Sequence, residues 1–114
     1  MQVLEALIKA RTLLVQHGWT QNGWARDADG ETRPWEDPRA ECYCAAGALR
    51  RAIYGTDCAV PLTDPVLEQA ESALRCQIVR LGYGAILIEE FNDQPHRTAE
   101  DVLAVFDAAI ARAR

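Results

Sequence analysis

The chain has 114 residues, a length that suits one domain, and its apolar fraction of 49% is sufficient for a core that needs no metal or disulfide. The net charge of -5 offers no general attraction to phosphate backbones or anionic lipids, which argues against nucleic acid and membrane surfaces as partners. Cys42, Cys44, Cys58 and Cys76 are too sparse for a disulfide-rich secreted domain, and neither a secretory leader nor a membrane-spanning apolar run is evident. We therefore expect reduced thiols in a cytoplasmic protein.

Helical periodicity accounts for the first half of the chain, apart from one irregular segment. Apolar residues recur at helical spacing from Val3 to Val15, and Gly18 follows as a left-handed helix stop. From Trp19 to Arg39 this pattern gives way to Gly, Asp, Asn and Pro, which predicts a loop or a small hairpin. The helical period returns from Ala40 to Tyr54, and we expect a second helix there.

A third helix is predicted from its cap. Asp64 precedes Pro65, and this pair is a strong helix start because the carboxylate caps free amides and proline suits the first turn. The apolar stripe that follows extends to about Leu81. On its exposed face we expect Glu71 to pair with Arg75 one turn further on.

The last part of the chain predicts a short helix and a long one. Periodicity alone allows strand or helix for residues 85–91, and we favour a short helix. Thr98 and Asp101 resemble a capping box that starts the last helix. The predicted fold class is mainly α: one compact domain over residues 1–114, with four to five helices and an irregular or hairpin segment after the first.

The cysteines offer one candidate for chemistry. Cys42 and Cys44 lie at the predicted start of the second helix, where free backbone amides and the helix dipole lower the pKa of a thiol. A nucleophile there needs a base and an orienting amide, and His17, His96 and Asn92 are available without any sign that they meet. Buried inert cysteine is the more common arrangement, so Cys44 and His96 are kept only as catalytic candidates. The spacing does not match a zinc site, and we predict neither metal nor cofactor.

Three tryptophans lie in or beside the irregular segment. Trp19, Trp24 and Trp35 either cover the helical core or line a pocket, because each ring combines a large apolar area with an N–H that needs a partner. A pocket of this kind, with an arginine beside it, suits a flat anionic ligand such as a nucleotide derivative. Gly47 within the second helix indicates close approach of another backbone, a helix or a ligand.

A polar cluster follows the short helix. Asn92 and Asp93 precede a proline, which first indicates turn and cap hydrogen bonds to nearby amides. Together with His96 and Arg97, they are also a set of polar groups that a pocket would use. Glu89 and the acid next to it point apart on a helix, so we do not expect them to form an acid–base pair.

Four short motifs occur in order along the chain: His17-Gly18-Trp19, Cys42 to Leu49, Phe91-Asn92-Asp93, and Arg97 to Val102. Together they resemble a small uncharacterised family of bacterial and phage proteins with Gly-Trp, Cys-x-x-Gly-Ala-Leu, Trp-Asn-Asp and Arg-Thr motifs. The resemblance implies a single helical domain, and it carries no established activity. The positions that it marks are Gly18, Trp19, Cys44, Gly47, Ala48, Leu49, Asn92, Asp93, Arg97 and Thr98. Phe91 stands where the family usually has tryptophan, which argues against any role there for an indole N–H.

Size, acidic charge and the lack of a catalytic constellation favour a non-enzymatic binding protein of bacterial or phage origin, acting through a protein partner or by ligand sequestration. A small-molecule pocket for a nucleotide-like ligand is one alternative, and a cysteine-dependent hydrolase or transferase is another. The sequence leaves enzyme activity and a homodimer open. The predicted ligand-binding residues are Trp19, Trp24, Cys44, Asn92, Asp93 and Arg97.

Overall fold

This computed structural model describes residues 1–84 and 87–114 of the chain. These residues form five α-helices: α1 (Val3–His17), α2 (Ala45–Tyr54), α3 (Pro65–Arg80), α4 (Ile88–Asn92) and α5 (Ala99–Ala113). The predicted caps are present. The carboxylate of Asp64 accepts from the first amides of α3, and Thr98 shares a reciprocal capping box with Asp101 at the start of α5. The predicted mainly α fold is therefore confirmed.

The irregular segment after α1 is the predicted hairpin. Strand β1 (Ala25–Arg26) pairs antiparallel with β2 (Thr32–Arg33) on one side and with β3 (Cys42–Tyr43) on the other, in the order β2-β1-β3. The turn between β1 and β2 depends on Asp27, whose carboxylate accepts from two backbone amides of the turn.

The second helix begins later than its periodicity predicts. It starts at Ala45 rather than Ala40, and Cys42 and Tyr43 form β3 instead of a first helical turn. Their backbone groups pair with β1 and with Gly18 and Thr20, while the Tyr43 side chain is buried. Long-range strand pairing has overridden a short stretch of helical pattern, because the extended backbone pairs with β1 and with Gly18 and Thr20.

Two other predictions concern α3 and α4. The short helix predicted for residues 85–91 is present as α4 from Ile88 onward, and residues 85–86 lie outside the described part of the chain. The predicted pair of Glu71 with Arg75 is wrong. Glu71 instead accepts a hydrogen bond of 3.5 Å from Arg50 of α2, because the packing of α2 beside α3 brings that guanidinium within reach.

Helix α1 lies at the centre of the packing and contacts α2, α3 and α5. Its stripe of Ala6, Leu7, Ala10 and Leu14 is buried, and the core continues through the large apolar residues of the other helices: Leu49, Leu74, Ile78, Val102 and Phe106. Ala6 and Ala10 lie one turn apart, and their small side chains let a neighbouring helix approach α1 closely. Within the described ranges, we find no helix with the length and apolarity needed to cross a membrane.

Candidate functional site

Asn92, at the end of α4, joins three separate segments of the chain. Its side chain is fully buried, and Oδ1 accepts from the indole N–H of Trp19 at 2.7 Å and from the backbone N–H of Ala45 at 2.9 Å. Its Nδ2 donates to the carbonyl of Thr20 at 3.1 Å and to Oδ1 of Asp93 at 2.9 Å. A carboxamide is the side chain that can both accept and donate in this way. Asn92 thereby fastens the segment after α1 and the start of α2 to α4.

The backbone of Trp24 lies directly against the first turn of α2. Its carbonyl accepts from the backbone N–H of Cys44 at 3.0 Å, and a Cβ on Gly47 would lie 2.3 Å from that carbonyl oxygen. No side chain fits in that space. Of the alternatives that the sequence left open at Gly47, the structure shows the close approach of another backbone, which belongs to the hairpin segment and not to a helix.

The hairpin segment, the start of α2 and α4 surround a concavity of about 210 Å³. Its lining residues are Gly23, Trp24, Cys44, Glu89, Asn92 and Asp93. We call it the Trp24 pocket. Four of the predicted ligand-binding residues meet there, although they come from three distant parts of the sequence. Gly23 and Glu89 were not predicted as site residues. The spacing of Glu89 to Asn92 and Asp93, three and four residues along one helix, was the available signal, since such residues share a face.

The three tryptophans have different environments. Trp19 is half-buried against the core with its N–H bonded to Asn92, and Trp35 is buried with its ring 5.9 Å from that of Tyr54. Trp19 covers the core, and Trp35 packs on Tyr54, which itself packs against the core. Trp24 is 38% exposed and forms a wall of the pocket, and the guanidinium of Arg50 lies 4.8 Å from its ring centroid. The structure therefore contains both arrangements between which the sequence left a choice.

Cys44 caps α2 from inside the protein. Burial raises the pKa of its thiol to about 11, even though the Gly47 N–H, which donates to Sγ at 3.2 Å, favours the thiolate. The predicted lowering of the pKa by the helix start is wrong for Cys44, because desolvation outweighs it. The charges of Asp93 and Glu89 raise the pKa further, so both carboxylates lie near the sulfur.

The remaining candidates lie away from the pocket lining. His17 packs edge-on against Tyr43 with ring centroids 6.5 Å apart, and His96 is exposed. Arg97 donates to the carbonyl of Phe91 at 2.8 Å and stacks on that residue's ring, with 4.1 Å from guanidinium to ring centroid. Arg97 was predicted to bind ligand, but its guanidinium braces the turn between α4 and α5.

The pocket lining carries negative charge. Asp93 accepts two hydrogen bonds, from the backbone of Asn22 and from Asn92, and both end on Oδ1. In residues 1–84 and 87–114, no hydrogen bond ends on its Oδ2 or on the exposed Glu89 carboxylate, and no Lys or Arg lines the pocket. The same described residues contain no group of three or more His, Cys, Asp or Glu placed to hold a metal ion.

The fold and the site define a small, mainly α-helical domain with a hairpin clasp and an acidic, aromatic-walled pocket. The chain belongs to the family of unknown function DUF6197, whose family model matches residues 1–112. Comparisons with curated proteins and with solved structures gave no match. Since the family match covers every residue of the Trp24 pocket, the pocket lies within the region that defines the family.

Proposed function

We propose that this protein is a binding protein whose Trp24 pocket takes a small positively charged group, an ammonium or a guanidinium. One observation carries the proposal: Trp24, Cys44, Asn92 and Asp93, which are distant in sequence, converge on a single concavity that also contains Glu89. A concave site with a few convergent polar groups is the usual form of a ligand site.

The charge and the aromatic wall of the pocket favour a cation. Glu89 and Oδ2 of Asp93 supply carboxylate oxygens, and an indole face attracts positive charge through its quadrupole. Arg50 already stacks on Trp24, which supports the ability of this ring to hold a guanidinium. Arg50 is itself paired with Glu71, so part of its positive charge is compensated.

The size of the pocket favours a small group. Its volume of about 210 Å³ is below the roughly 300 Å³ at which pockets for drug-sized ligands begin. A nucleotide-like ligand would be too large, and its phosphate would meet two carboxylates with no Lys or Arg among the residues that line the pocket. The pKa of about 11 at Cys44 keeps the thiol protonated at neutral pH, which supports a role in shaping the wall rather than in nucleophilic attack.

The test is an NMR titration of the ¹⁵N-labelled protein with methylammonium, with dilute guanidinium, with a short Arg-containing peptide and with AMP. We expect both cations to shift the Trp24 indole N–H and the backbone amides of Glu89 and Asp93, and AMP to leave them unchanged. Glu89→Gln should weaken cation binding about fivefold, because one solvated carboxylate near a cation contributes about 1 kcal/mol. Glu31→Gln, an exposed acid on the hairpin, is the matched control and should not change it.

The probes also separate two sources of the same chemistry. Tighter binding of the Arg-containing peptide than of free guanidinium would identify a side chain of a partner protein as the ligand, and the reverse order would identify a free metabolite. Shifts by AMP that exceed those by either cation, or equal cation binding by the Glu89→Gln variant and the wild type, would contradict the proposal.

A further inference from the structure

A shallow groove runs between α3 and α5, away from the Trp24 pocket. It consists of three adjoining depressions that share lining residues: Gln77 and Arg112 line two of them, and Arg80 and Cys76 also belong to two each. Alanines such as Ala73 and Ala108 form its floor. We call this surface the α3–α5 groove.

Gln77 is an unusual residue for the floor of this groove. It is only 6% exposed, yet its carboxamide makes no hydrogen bond to any residue of the described part of the chain. Its amide oxygen and nitrogen are not sealed from solvent, because among the described side chains Nη1 of Arg50 is the one buried polar atom without a partner. Because Gln77 lines two of the depressions, its unused donor and acceptor face the groove.

The groove also gathers arginines that have no partner. Among residues 1–84 and 87–114, Arg75, Arg80 and Arg112 form no ion pair and no side-chain hydrogen bond, and no acidic residue lines the groove. Arg75 lacks a partner because Glu71 turns to α2. Five arginines elsewhere in the described residues are paired with acids, namely Arg11, Arg33, Arg39, Arg50 and Arg97. Arg26 and Arg51 donate to backbone carbonyls. In a protein of net charge -5, this basic strip is a distinct feature.

We propose that the α3–α5 groove binds a short acidic segment of a partner protein. The guanidinium groups of Arg80 and Arg112 match carboxylates in charge and in bidentate geometry. The carboxamide of Gln77 both donates and accepts, so a peptide group can use both of its functions, whereas a phosphate would use only the donor. The alanine floor lets the backbone of the partner come close. From residue 72 to residue 80, α3 rises about 12 Å, which accommodates roughly two turns of a helix.

The test uses a synthetic acidic peptide of Glu and Ala, about fourteen residues long so that it can form a helix, and a control peptide with Gln in place of Glu. We expect saturable binding of the Glu peptide in an NMR titration, with shifts of the Gln77 side-chain N–H groups, and weaker binding as salt is added. The double variant Arg80→Gln/Arg112→Gln should weaken binding at least about tenfold. Lys9→Gln/Arg39→Gln, which removes the same charge from exposed positions elsewhere, should leave binding unchanged.

Gln77→Leu separates a binding role from a structural one. We expect this variant to be as stable as the wild type, because the Gln77 carboxamide forms no hydrogen bond inside the described part of the chain, and at the same time to weaken binding of the Glu peptide. Four outcomes would overturn the proposal: equal binding of the Gln peptide, equal loss in the Lys9 and Arg39 control, tighter binding of a single-stranded oligonucleotide, or self-association that the arginine substitutions abolish.

Discussion

At the scale of single residues, Asn92 shows how one polar side chain organises a site. Its carboxamide satisfies an indole N–H, a helix-start amide and a loop carbonyl, and all of these come from other parts of the chain. Such a network is stable when every member is satisfied and costly when one member is lost. The Trp24 pocket is built on this residue, because Asn92 holds the hairpin segment and α2 in register with α4.

Asn92→Ala should destabilise the fold by about 3 kcal/mol. The substitution leaves the N–H groups of Trp19 and Ala45 without their acceptor inside the protein, and each buried unsatisfied group costs about 1–3 kcal/mol. Urea unfolding followed by far-UV circular dichroism measures the change. Gln94→Ala, two residues on and exposed, should alter the free energy of unfolding by no more than about 0.5 kcal/mol. Similar small effects of both substitutions would contradict the structural importance of Asn92.

The residues of the pocket were predictable in part. The sequence singled out Trp24, Cys44, Asn92 and Asp93 because each belongs to a local cluster of tryptophan, cysteine or polar side chains. All four line the pocket. Arg97 was chosen for the same reason, but its stacking on Phe91 depends on the angle at which α5 leaves α4. That angle is set by tertiary packing, and local sequence does not specify it. Three of the four side-chain hydrogen bonds of Asn92 span more than forty residues, and no local sequence pattern indicates them.

At the scale of elements, the contact between the hairpin segment and α2 determines how the site is built. The carbonyl of Trp24 caps the amide of Cys44, and this contact needs a helix surface without a side chain at Gly47. The hairpin segment and α2 therefore contact each other through backbone atoms on both sides. This contact fixes the position of the Trp24 ring relative to α4 without using the ring itself.

Gly47→Ala should destabilise the protein by about 2–3 kcal/mol. The new methyl group would lie 2.3 Å from the Trp24 carbonyl oxygen, so the hairpin segment must move and lose its hydrogen bond to Cys44. Helix propensity alone predicts the opposite, a gain of about 1 kcal/mol. The sign of the change in melting temperature decides between the steric clash and helix propensity. A variant more stable than the wild type would show that the Trp24 backbone does not approach Gly47 closely.

Elements with local signals were predicted well. The caps at Asp64 and Thr98 lie within a few residues of the amides that they bind, and the structure places both as predicted. Strand β3 has no such signal, because its partner β1 lies about seventeen residues earlier and supplies the reason for an extended backbone. Because local pattern does not reveal this partner, the helix predicted from periodicity extended across Cys42 and Tyr43.

At the scale of the whole molecule, the two proposed sites have opposite charge and share no lining residue. The Trp24 pocket presents carboxylates, and the α3–α5 groove presents arginines. A single partner could bind both sites if it placed a basic side chain in the Trp24 pocket and an acidic segment in the α3–α5 groove. Its surface would then need charges complementary to those of both sites. This arrangement would give orientation as well as affinity.

Global stability should fall as the pH rises above about 9. The thiol of Cys44 has a pKa of about 11 in the folded protein against 9.0 for an ordinary thiol, so the unfolded chain loses this proton first. The protonated thiol contributes its full stabilisation at pH values below the pKa that it has in the unfolded chain. This contribution is lost as the pH rises towards the pKa of the thiol in the folded protein. At about pH 10 we expect a loss of about 1 kcal/mol relative to neutral pH.

Urea unfolding at neutral pH and at about pH 10 tests this linkage. The Cys44→Ala variant is the control, and its stability should change less between the two pH values, whatever its absolute stability. Burial also raises the pKa of Tyr54, to about 12, so its effect in the same direction lies at higher pH. An equal pH dependence in the variant and the wild type would show that Cys44 does not contribute.

The central position of α1 has a consequence for synthesis on the ribosome. Its apolar stripe is covered partly by α5, which is made about eighty residues later. At roughly 5–20 residues per second, α1 leaves the ribosome several seconds before that cover exists. During this interval the part of the stripe that α5 will cover is available to chaperones and to neighbouring nascent chains. The helix around which the finished protein is packed is thus incompletely covered until the last helix has been made.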